Sequence, residues 1–374
     1  MTGDSNHPLL EPAGRYRACA GVGGIGSGLI FALEGDQTLG RNESRPGRLL
    51  NVRDYCKLHI IAHYVAVLLR ADPSGNPFAV LPIGKIGNDA PGQRLLEEMR
   101  DAGMDTQFIQ VEETLPTMLS ICFQYPDGSG GNLTTSGSAA SALTIGDVDR
   151  ALDSISTRAV PFVALAAPEV PLAIRRHFLQ KATRLGAFRA AAFTSAEMPA
   201  ARETGLLALV DLLTMNEDEA RALTGLSRDE HEHQELLEAS GDLLTPINRH
   251  ICIIVTAGKK GAAALHRGST DFCPAVEVEV SNTAGAGDAL MGGLIAGMAA
   301  GMPLISPGPP RRSMGERPLA SAFEFACMLA GFTVTSPHTI HPGANLDSVL
   351  SFARRHGVSL ADGLIRRAGQ RGTA

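Results

Sequence analysis

The sequence has no long apolar run, and no stretch of it approaches the roughly 18 uninterrupted apolar residues of a membrane span. Its N-terminus also lacks the basic segment followed by an apolar segment that directs export. From these two features we expect neither an integral membrane protein nor a secreted one. We therefore expect a cytoplasmic protein that does not interact with membranes.

Charge of either sign is not concentrated anywhere in the chain. The formal net charge is -6 with a pI near 6.0, and Lys and Arg are scattered rather than clustered. This distribution gives no general attraction to nucleic acid or to anionic lipid. We expect the partners to be small molecules.

The chain has few cysteines, and no two of them form a Cys-x-x-Cys pair. Such wide spacing is typical of reduced thiols and not of a disulfide framework, which agrees with a reducing compartment. The six cysteines are Cys19, Cys56, Cys122, Cys252, Cys273 and Cys327.

Strands and helices alternate along the second half of the chain. Short apolar runs have the length of buried strands, and apolar residues at helical spacing follow most of them. This alternation predicts an α/β domain with a mostly parallel sheet covered by helices on both faces. We expect one domain over 15–374 and a flexible tail at 1–14. The strand candidates are 162–166, 187–193, 210–215 and 251–256.

The C-terminal part contains a segment rich in Pro and Gly, residues 301–318, which is too irregular for a helix or a strand. We expect it to form a mobile surface loop. A helix over 320–334 is predicted to be the last regular element.

A turn of small residues from Ser281 to Asp288 leads directly into an apolar helix. The first N–H groups of a helix lack internal partners and lie at the positive end of its dipole, so this turn can hold an anion such as phosphate. Asp288 could cap the helix. It could instead accept the proton of an attacking hydroxyl while the amides stabilise the phosphoryl oxygens. Spacing is compatible with both roles.

Residues 282–288, Asn-Thr-Ala-Gly-Ala-Gly-Asp, resemble the signature Asp-Thr-x-Gly-Ala-Gly-Asp of the PfkB (ribokinase-like) carbohydrate kinases. Three other segments match in the order found in that family. Residues 216–219 resemble its Asn-x-x-Glu element, 255–262 its nucleotide-binding strand and turn, and 84–92 the segment before its third helix. Four matches in order are far more specific than one.

The resemblance implies a ribokinase-like three-layer αβα domain with a small β-sheet lid, built here from segments near 27–54 and 106–140. It implies ATP as donor, Mg²⁺, a small-molecule acceptor, and a possible homodimer through the lid. Asp288 would be the catalytic base, and the backbone of Gly285, Ala286 and Gly287 the anion hole. The remaining carried-over residues are Asn216, Thr256, Gly258 and Gly261 for the nucleotide and Glu219 for the metal.

The N-terminal half departs from the family at the acceptor site. Sugar kinases of this group usually carry an Asp after the first strand, where it binds substrate hydroxyls, but this stretch, 25–29, reads Ile-Gly-Ser-Gly-Leu. Their Gly-Gly pair at the next helix is replaced by residues 54–59, whose bulky side chains keep a sugar away from the backbone. We expect a rebuilt site in which Asp54, Lys57 and His59 make the polar contacts.

Two other departures affect the expected activity. Asn282 replaces the first Asp of the signature, a change also present in members that resemble tagatose-phosphate and fructose-phosphate kinases, so activity is not excluded. Four lid arginines could attract an anionic acceptor such as a sugar phosphate, although scattered charges of this kind are more often solvated. They are Arg41, Arg45, Arg48 and Arg53.

The sequence thus predicts an ATP-dependent kinase for a sugar or sugar phosphate. A nucleoside kinase of the same family and a metabolite-binding protein with little activity are the alternatives, and retention of Asp288 argues against the second. Residues 21–26 fit a dinucleotide-binding fingerprint, but the apolar run after them is too short for the required helix. His231 with His233, and His338 with His341, lack the further ligands of a metal site.

Overall fold

The computed structural model describes residues 8–10, 14–75, 77–126, 130–227, 232–306, 308–309, 311–361 and 366–367. The strands are β1 (Pro8–Leu9), β2 (Ala18–Val22), β3 (Gly26–Leu33), β4 (Gly47–Leu49), β5 (Asp54–Tyr55), β6 (Ala79–Gly87), β7 (Ile109–Glu112), β8 (Met118–Gln124), β9 (Gly130–Thr134), β10 (Phe162–Ala166), β11 (Phe188–Ala192), β12 (Leu212–Asn216), β13 (Cys252–Thr256), β14 (Ala262–His266), β15 (Ser269–Cys273) and β16 (Arg366–Arg367). The helices are α1 (Lys57–Leu69), α2 (Ala90–Asp101), α3 (Ile145–Thr157), α4 (Leu172–Arg184), α5 (Met198–Glu203), α6 (Glu217–Thr224), α7 (His233–Leu244), α8 (Ala286–Ala299), α9 (Ala322–Thr333) and α10 (Leu346–Arg355).

The central sheet has the order β15-β14-β13-β12-β11-β10-β2-β6-β7 in the described part of the chain. Pairing is parallel from β13 to β7, whereas β14 and β15 are antiparallel. The inner strands are buried along their whole length because helices cover both faces of the sheet. The predicted mostly parallel sheet is confirmed.

Two hydrophobic clusters lie on opposite faces of this sheet. Successive residues of a strand point to opposite faces, so Cys19 packs in one cluster with α1, α8 and α9, while Ala18 and Ala20 pack in the other with α3, α4 and α7. The result is the three-layer αβα arrangement that the sequence predicted.

The second sheet is small and forms the lid. Strand β3 pairs in parallel with β8 and antiparallel with β4 and β5, and β9 follows β8. Its strands come from the two predicted segments, with one difference. Strand β7, inside the segment 106–140, pairs with β6 and is the edge strand of the central sheet.

The C-terminal prediction was wrong, because α10 follows the helix that was expected to be the last element. Its buried residues Leu346, Val349, Leu350 and Ala353 form one apolar face, and the Asn345 side chain caps its start. Helix α3, which the sequence analysis did not identify, begins with a capping box at Thr144.

The segment 301–318 has no helix or strand in its described residues, but it is anchored to α9. The side chain of Arg311 is fully buried, and its Nε lies 2.6 Å from Glu324 Oε1. The same guanidinium donates to the Pro318 carbonyl at 2.8 Å. A buried ion pair with these added hydrogen bonds holds Arg311 and the described residues next to it against α9. The mobility of the rest of the loop stays a prediction.

The predicted tail, 1–14, is described only at residues 8–10 and 14, and the rest of it lies outside the described residues. Strand β1 pairs with β16, Leu10 is buried, and the Gly14 N–H donates to the Ala299 carbonyl at 2.9 Å.

No helix in the described ranges combines the length and apolar character that a membrane crossing requires.

Candidate active site

A cavity of about 1200 Å³ opens at the carboxyl ends of β12 and β13, beside the start of α8. Loops at this edge of an open α/β sheet are the usual place for a ligand. The cavity brings together all of the predicted site residues except Asp54 and His59. Those that line it are Lys57, Asn216, Glu219, Thr256, Gly258, Gly261, Gly285, Ala286, Gly287 and Asp288.

Helix α8 begins at Ala286, and its N-cap residue is Gly285, which makes no side-chain capping bond. Asp288 is therefore the third residue of the helix and does not cap it. Gly285 has φ +82°, a left-handed conformation that favours glycine. The residues of this first turn line the cavity, and the Ala286 N–H donates to the Thr283 carbonyl at 3.3 Å. The start of α8 can thus hold an anion beside a carboxylate.

Asn282 stabilises the turn with both ends of its side-chain amide. Its Nδ2 donates to the Pro337 carbonyl at 2.9 Å, and its Oδ1 accepts from the Ala284 N–H at 3.0 Å. An ionised aspartate could make only the second of these bonds, because it has no hydrogen to donate. The replacement of the signature Asp by Asn therefore suits the local structure of this turn.

Asp288 is half-buried, and burial raises its pKa to about 6. The Lys57 ammonium lowers this pKa, while the nearby carboxylates of Glu219 and Asp54 raise it. A carboxyl group with a pKa near 6 is ionised at neutral pH and is more basic than an exposed aspartate. Asp288 can therefore accept a proton from a hydroxyl group.

Lys57 lies at the first position of α1 and bridges two acidic groups. Its backbone N–H donates to Glu169 Oε2 at 3.2 Å, and its Nζ lies 3.4 Å from Glu219 Oε1. Burial acts to lower the pKa of Lys57, but the carboxylates of Asp288, Glu219 and Glu169 raise it above its ordinary value. Lys57 is thus a positive charge beside the acidic groups of Asp288, Glu219 and Glu169.

Glu219 is buried and forms a capping box with Asn216 at the start of α6. Its Oε2 accepts from the Asn216 N–H at 2.9 Å, and the Asn216 Oδ1 accepts from the Glu219 N–H at 2.8 Å. The described residues contain no preformed group of three or more metal ligands. Mg²⁺ at phosphate sites usually keeps its waters and uses one or two carboxylates, so Glu219 suits a metal that arrives with the nucleotide.

Glu169 is a site residue that the sequence analysis missed. It follows β10 at the carboxyl edge of the sheet, and its φ of +75° is uncommon for a residue other than glycine. Gly24 makes room for it, because a methyl group at Gly24 would lie only 2.5 Å from Glu169 Cβ. Burial raises the pKa of Glu169 to about 7. An acid directly after a buried parallel strand was the signal that could have identified it.

The opposite end of the cavity has apolar walls that were not predicted either. They come from the segment after β15 and from α9. Flat apolar surfaces of this kind suit an aromatic base, with few polar groups needed to orient it. The wall residues include Ala275, Val276, Val278, Ala330, Gly331 and Val334.

The other acceptor candidates lie apart from the cavity lining. His59 is buried against the Tyr55 ring with 4.6 Å between ring centroids, and burial lowers its pKa to about 3. Arg45 pairs with Glu43, and the exposed Arg53 side chain lies 3.6 Å from Glu98. The Arg45 pair is local to the lid, whereas the Arg53 pair joins the lid to α2.

The dinucleotide-binding alternative and the histidine pairs find no support in the described residues. Residues 21–26 lead into the lid strand β3 and not into a helix. His338 Nδ1 accepts from the Arg53 N–H at 2.9 Å, and His341 stacks on Phe332 at 4.0 Å, so both have structural contacts. His231 lies outside the described residues.

Comparison with known proteins agrees with this geometry. The pfkB family carbohydrate kinase pattern matches residues 61–345. The chain is 25% identical over 297 residues to 2-dehydro-3-deoxygluconokinase of Thermoproteus tenax, covering 77% of this chain and 86% of that protein. It is 27% identical over 216 residues to deoxyribokinase of Salmonella typhi, covering 57% and 66%.

A solved structure confirms the fold. Ribokinase of Cryptococcus neoformans var. grubii serotype A, in complex with ADP, superposes with a TM-score of 0.68 at 20% sequence identity, and the match covers 89% of this chain and 99% of that one. The family match extends over most of the chain, and its named relatives are sugar kinases. The chain therefore belongs to the pfkB family of carbohydrate kinases.

Proposed function

We propose that the protein transfers the γ-phosphoryl group of ATP to a hydroxyl of a small metabolite, a sugar or a sugar phosphate. The observation that carries this proposal is the position of Asp288, a carboxylate with a raised pKa in the first turn of α8 and inside the cavity. A base and an anion-binding helix start at one point are what phosphoryl transfer to a hydroxyl requires.

In the proposed reaction Asp288 accepts the proton of the acceptor hydroxyl as its oxygen attacks the γ-phosphorus. The bond between that phosphorus and the leaving oxygen breaks, and ADP departs. Backbone N–H groups of Gly285, Ala286 and Gly287 stabilise charge on the phosphoryl oxygens. Lys57 keeps Asp288 ionised, since its ammonium lowers the pKa of that carboxyl.

The acceptor is proposed to lie beside Glu169, whose carboxylate is held by the Lys57 N–H at 3.2 Å. A left-handed backbone at a glutamate costs on the order of 1 kcal/mol and persists where other contacts require it. Such strain is often found at binding sites. The ATP base is proposed to occupy the apolar end of the cavity, with Asn216, Thr256, Gly258 and Gly261 along the nucleotide. Mg²⁺ held near Glu219 would neutralise phosphate charge.

A nucleoside is the alternative acceptor within the same family. The deciding experiment is ATP turnover by the purified protein with a panel of sugars, sugar phosphates and nucleosides. Turnover with a sugar supports the leading proposal, and turnover with nucleosides alone supports the alternative. A protein that binds these compounds without turning over ATP would be a metabolite-binding member of the family.

Replacing Lys57 with Met should shift the acidic limb of the kcat/KM pH profile to higher pH. Asp288 acts as a base only when ionised, so kcat/KM should fall below about pH 6 in the wild type. Loss of the ammonium raises the pKa of Asp288, and we expect the limb to shift upward by about one pH unit. The measurement is kcat/KM between pH 5 and 9.

Lys57→Arg is the matched control, because it keeps the positive charge and should keep the limb in place. The profiles should also be recorded in a Glu169→Gln background, since Glu169 is the other carboxyl whose pKa lies near neutrality. An unchanged limb in Lys57→Met would show that Lys57 does not act on the base.

We also propose a homodimer formed through the outer face of the lid. Leu29, Ile121 and Leu133 lie side by side across β3, β8 and β9, and they are 39%, 37% and 67% exposed. Phe31 and Phe123 continue the same face one pair further along. A contiguous apolar row on a sheet is unusual at a free surface and suits a second copy of the same sheet.

Leu133→Asp should convert the protein to a monomer, because it places a charge at the most exposed position of this apolar row. Light scattering after size exclusion would then report one 39.2 kDa chain instead of two. Ile247→Asp is the control, since Ile247 is 53% exposed and lies outside the lid. A wild-type monomer at all concentrations tested would contradict the proposed dimer.

A further inference from the structure

The chain lacks the acid that sugar kinases of this group carry after the first strand, where residues 25–29 stand. We infer that Asp54 supplies this acid from β5, in the space left free by Gly28, and binds the hydroxyl groups of an uncharged acceptor. The inference rests on the proposed kinase function and narrows its acceptor to a polyol without phosphate or carboxylate.

The geometry of the β3–β5 pair is the first support. Gly28 and Asp54 are directly opposite each other in this antiparallel pair. The Asp54 side chain leans across its partner, so that a methyl group added at Gly28 would overlap Asp54 Oδ2. The carboxylate of Asp54 therefore occupies the position at which a side chain of residue 28 would begin.

The second support is the side of the lid on which this carboxylate lies. Asp54 Oδ2 is 3.9 Å from Cys122 Sγ, so these two side chains are on the same face of the lid. Ile30 is also on this face, because it lies directly opposite Cys122 in the β3–β8 pair. The exposed residues Leu29 and Ile121 are on the opposite face. The Asp54 carboxylate is near enough to Asp288 to raise the pKa of that base. Asp54 is thus on the lid face turned toward Asp288, just outside the residues that line the cavity.

The third support is unused hydrogen-bonding capacity. Burial raises the pKa of Asp54, although the Tyr55 N–H and the Thr339 and Cys122 side chains act to lower it by hydrogen bonding. The first two of these donors are shared, since the Tyr55 N–H also reaches Thr339 Oγ1 at 3.2 Å and the Thr339 hydroxyl also reaches the Arg53 carbonyl at 3.4 Å. A carboxylate offers about four acceptor positions. Among the described residues no Lys or Arg forms an ion pair with Asp54. The remaining positions are therefore available to hydroxyl donors.

The charge of the surroundings decides the acceptor class. Asp54, Glu169 and Asp288 are all carboxylates, and Lys57, the cation between them, is already 3.4 Å from Glu219. A phosphate or carboxylate on the acceptor would lie beside these carboxyl groups, of which Asp288 is ionised at neutral pH, while Lys57 is already paired with Glu219. Hydroxyl groups, in contrast, donate to carboxylates. An uncharged sugar or nucleoside fits, and a sugar phosphate or sugar acid does not.

Moving the acid back to β3 tests the inference. Asp54→Gly should raise the acceptor KM at least tenfold with little change in the KM for ATP. The exchange Gly28→Asp with Asp54→Gly should restore the acceptor KM to within about threefold of wild type, since it returns a carboxylate to the same lid face, in the space that Asp54 leaves. The double variant Gly28→Ala with Asp54→Gly is the matched control. It fills the space without adding an acid, so the acceptor KM should stay as high as in Asp54→Gly. Asp54→Asn gives a second, nearly isosteric removal of the charge.

The acceptor class is tested with matched compounds: ribose and ribose 5-phosphate, fructose and fructose 6-phosphate, glucose and gluconate. For each pair we expect kcat/KM of the anionic member to be at least tenfold lower. Three results would overturn the inference and leave the kinase function intact. The first is an unchanged acceptor KM in Asp54→Gly and Asp54→Asn, and the second is an exchange variant whose acceptor KM stays high. The third is a higher kcat/KM for the anionic compound of each pair. If no acceptor supports turnover that depends on Asp288, the proposed function fails and this inference fails with it.

Discussion

Asp288→Asn should lower kcat by about 10³-fold or more, because general-base catalysis contributes 10²–10⁴-fold and an amide cannot accept the proton. The substitution keeps the size of the side chain at the third residue of α8. The KM for ATP should change little, since the anion hole is made of backbone N–H groups. The measurement is steady-state turnover with the acceptor found by the panel.

The same variant should be more stable than wild type at neutral pH. Burial raises the folded-state pKa of Asp288 from 3.8 to about 6. The stability contributed by this group is therefore complete below pH 3.8 and is lost as pH rises through about 6. Asn does not titrate, so the variant should gain about 1–3 kcal/mol over wild type at pH 8 and nothing near pH 4.

This pH dependence separates a catalytic role from a structural one. A structural aspartate with stabilising partners would have a lowered pKa, and its replacement would destabilise the protein at neutral pH. Glu203→Gln is a control for simple loss of a charge, because Glu203 is exposed at the end of α5. Turnover that survives in Asp288→Asn would contradict the proposed mechanism.

The fold was predictable where the determinants are local. Buried parallel strands such as β10 and β13 are continuous apolar runs, since helices cover both faces, and the alternation with helices specified the three layers. Helix α10 was missed although Asn345 and its apolar spacing were visible, because the Pro- and Gly-rich sequence before it suggested an irregular end. The sheet that β7 joins is decided by its pairing with β6, in which Ile109 lies opposite Gly84, 25 positions earlier in the chain.

The site was predictable where one continuous segment forms it. The turn before Asp288 and the capping box at Asn216 could be read directly, because each contains bonds between residues two or three positions apart, Asn282 with Ala284 and Asn216 with Glu219. Glu169 could not be placed, since it meets Lys57 across a sequence separation of 112 residues. The position of Asp54 opposite Gly28 likewise depends on the pairing of β3 with β5, which the periodicity of the sequence does not specify.

Gly285→Ala should reduce kcat by about 10²-fold, the second-largest effect that we expect. The residue has φ +82°, which costs alanine on the order of 1–2 kcal/mol. A methyl group there would also collide with the Thr339 carbonyl oxygen. Thr339 cannot move away easily, because its N–H donates to the Arg53 carbonyl at 3.1 Å and its hydroxyl accepts from the Tyr55 N–H at 3.2 Å.

The turn must therefore shift instead, and with it the N–H groups that precede Asp288. A displacement of about 1 Å at reacting groups costs about 10²-fold in rate, and loss of one oxyanion donor costs a similar amount. Turnover should be measured at a temperature where circular dichroism shows the variant to be folded. Gly287→Ala is the control for stability, because its added methyl group meets no atom within 4 Å and its melting temperature should not fall. A folded Gly285→Ala enzyme with the wild-type kcat would show that the position of this turn does not control phosphoryl transfer.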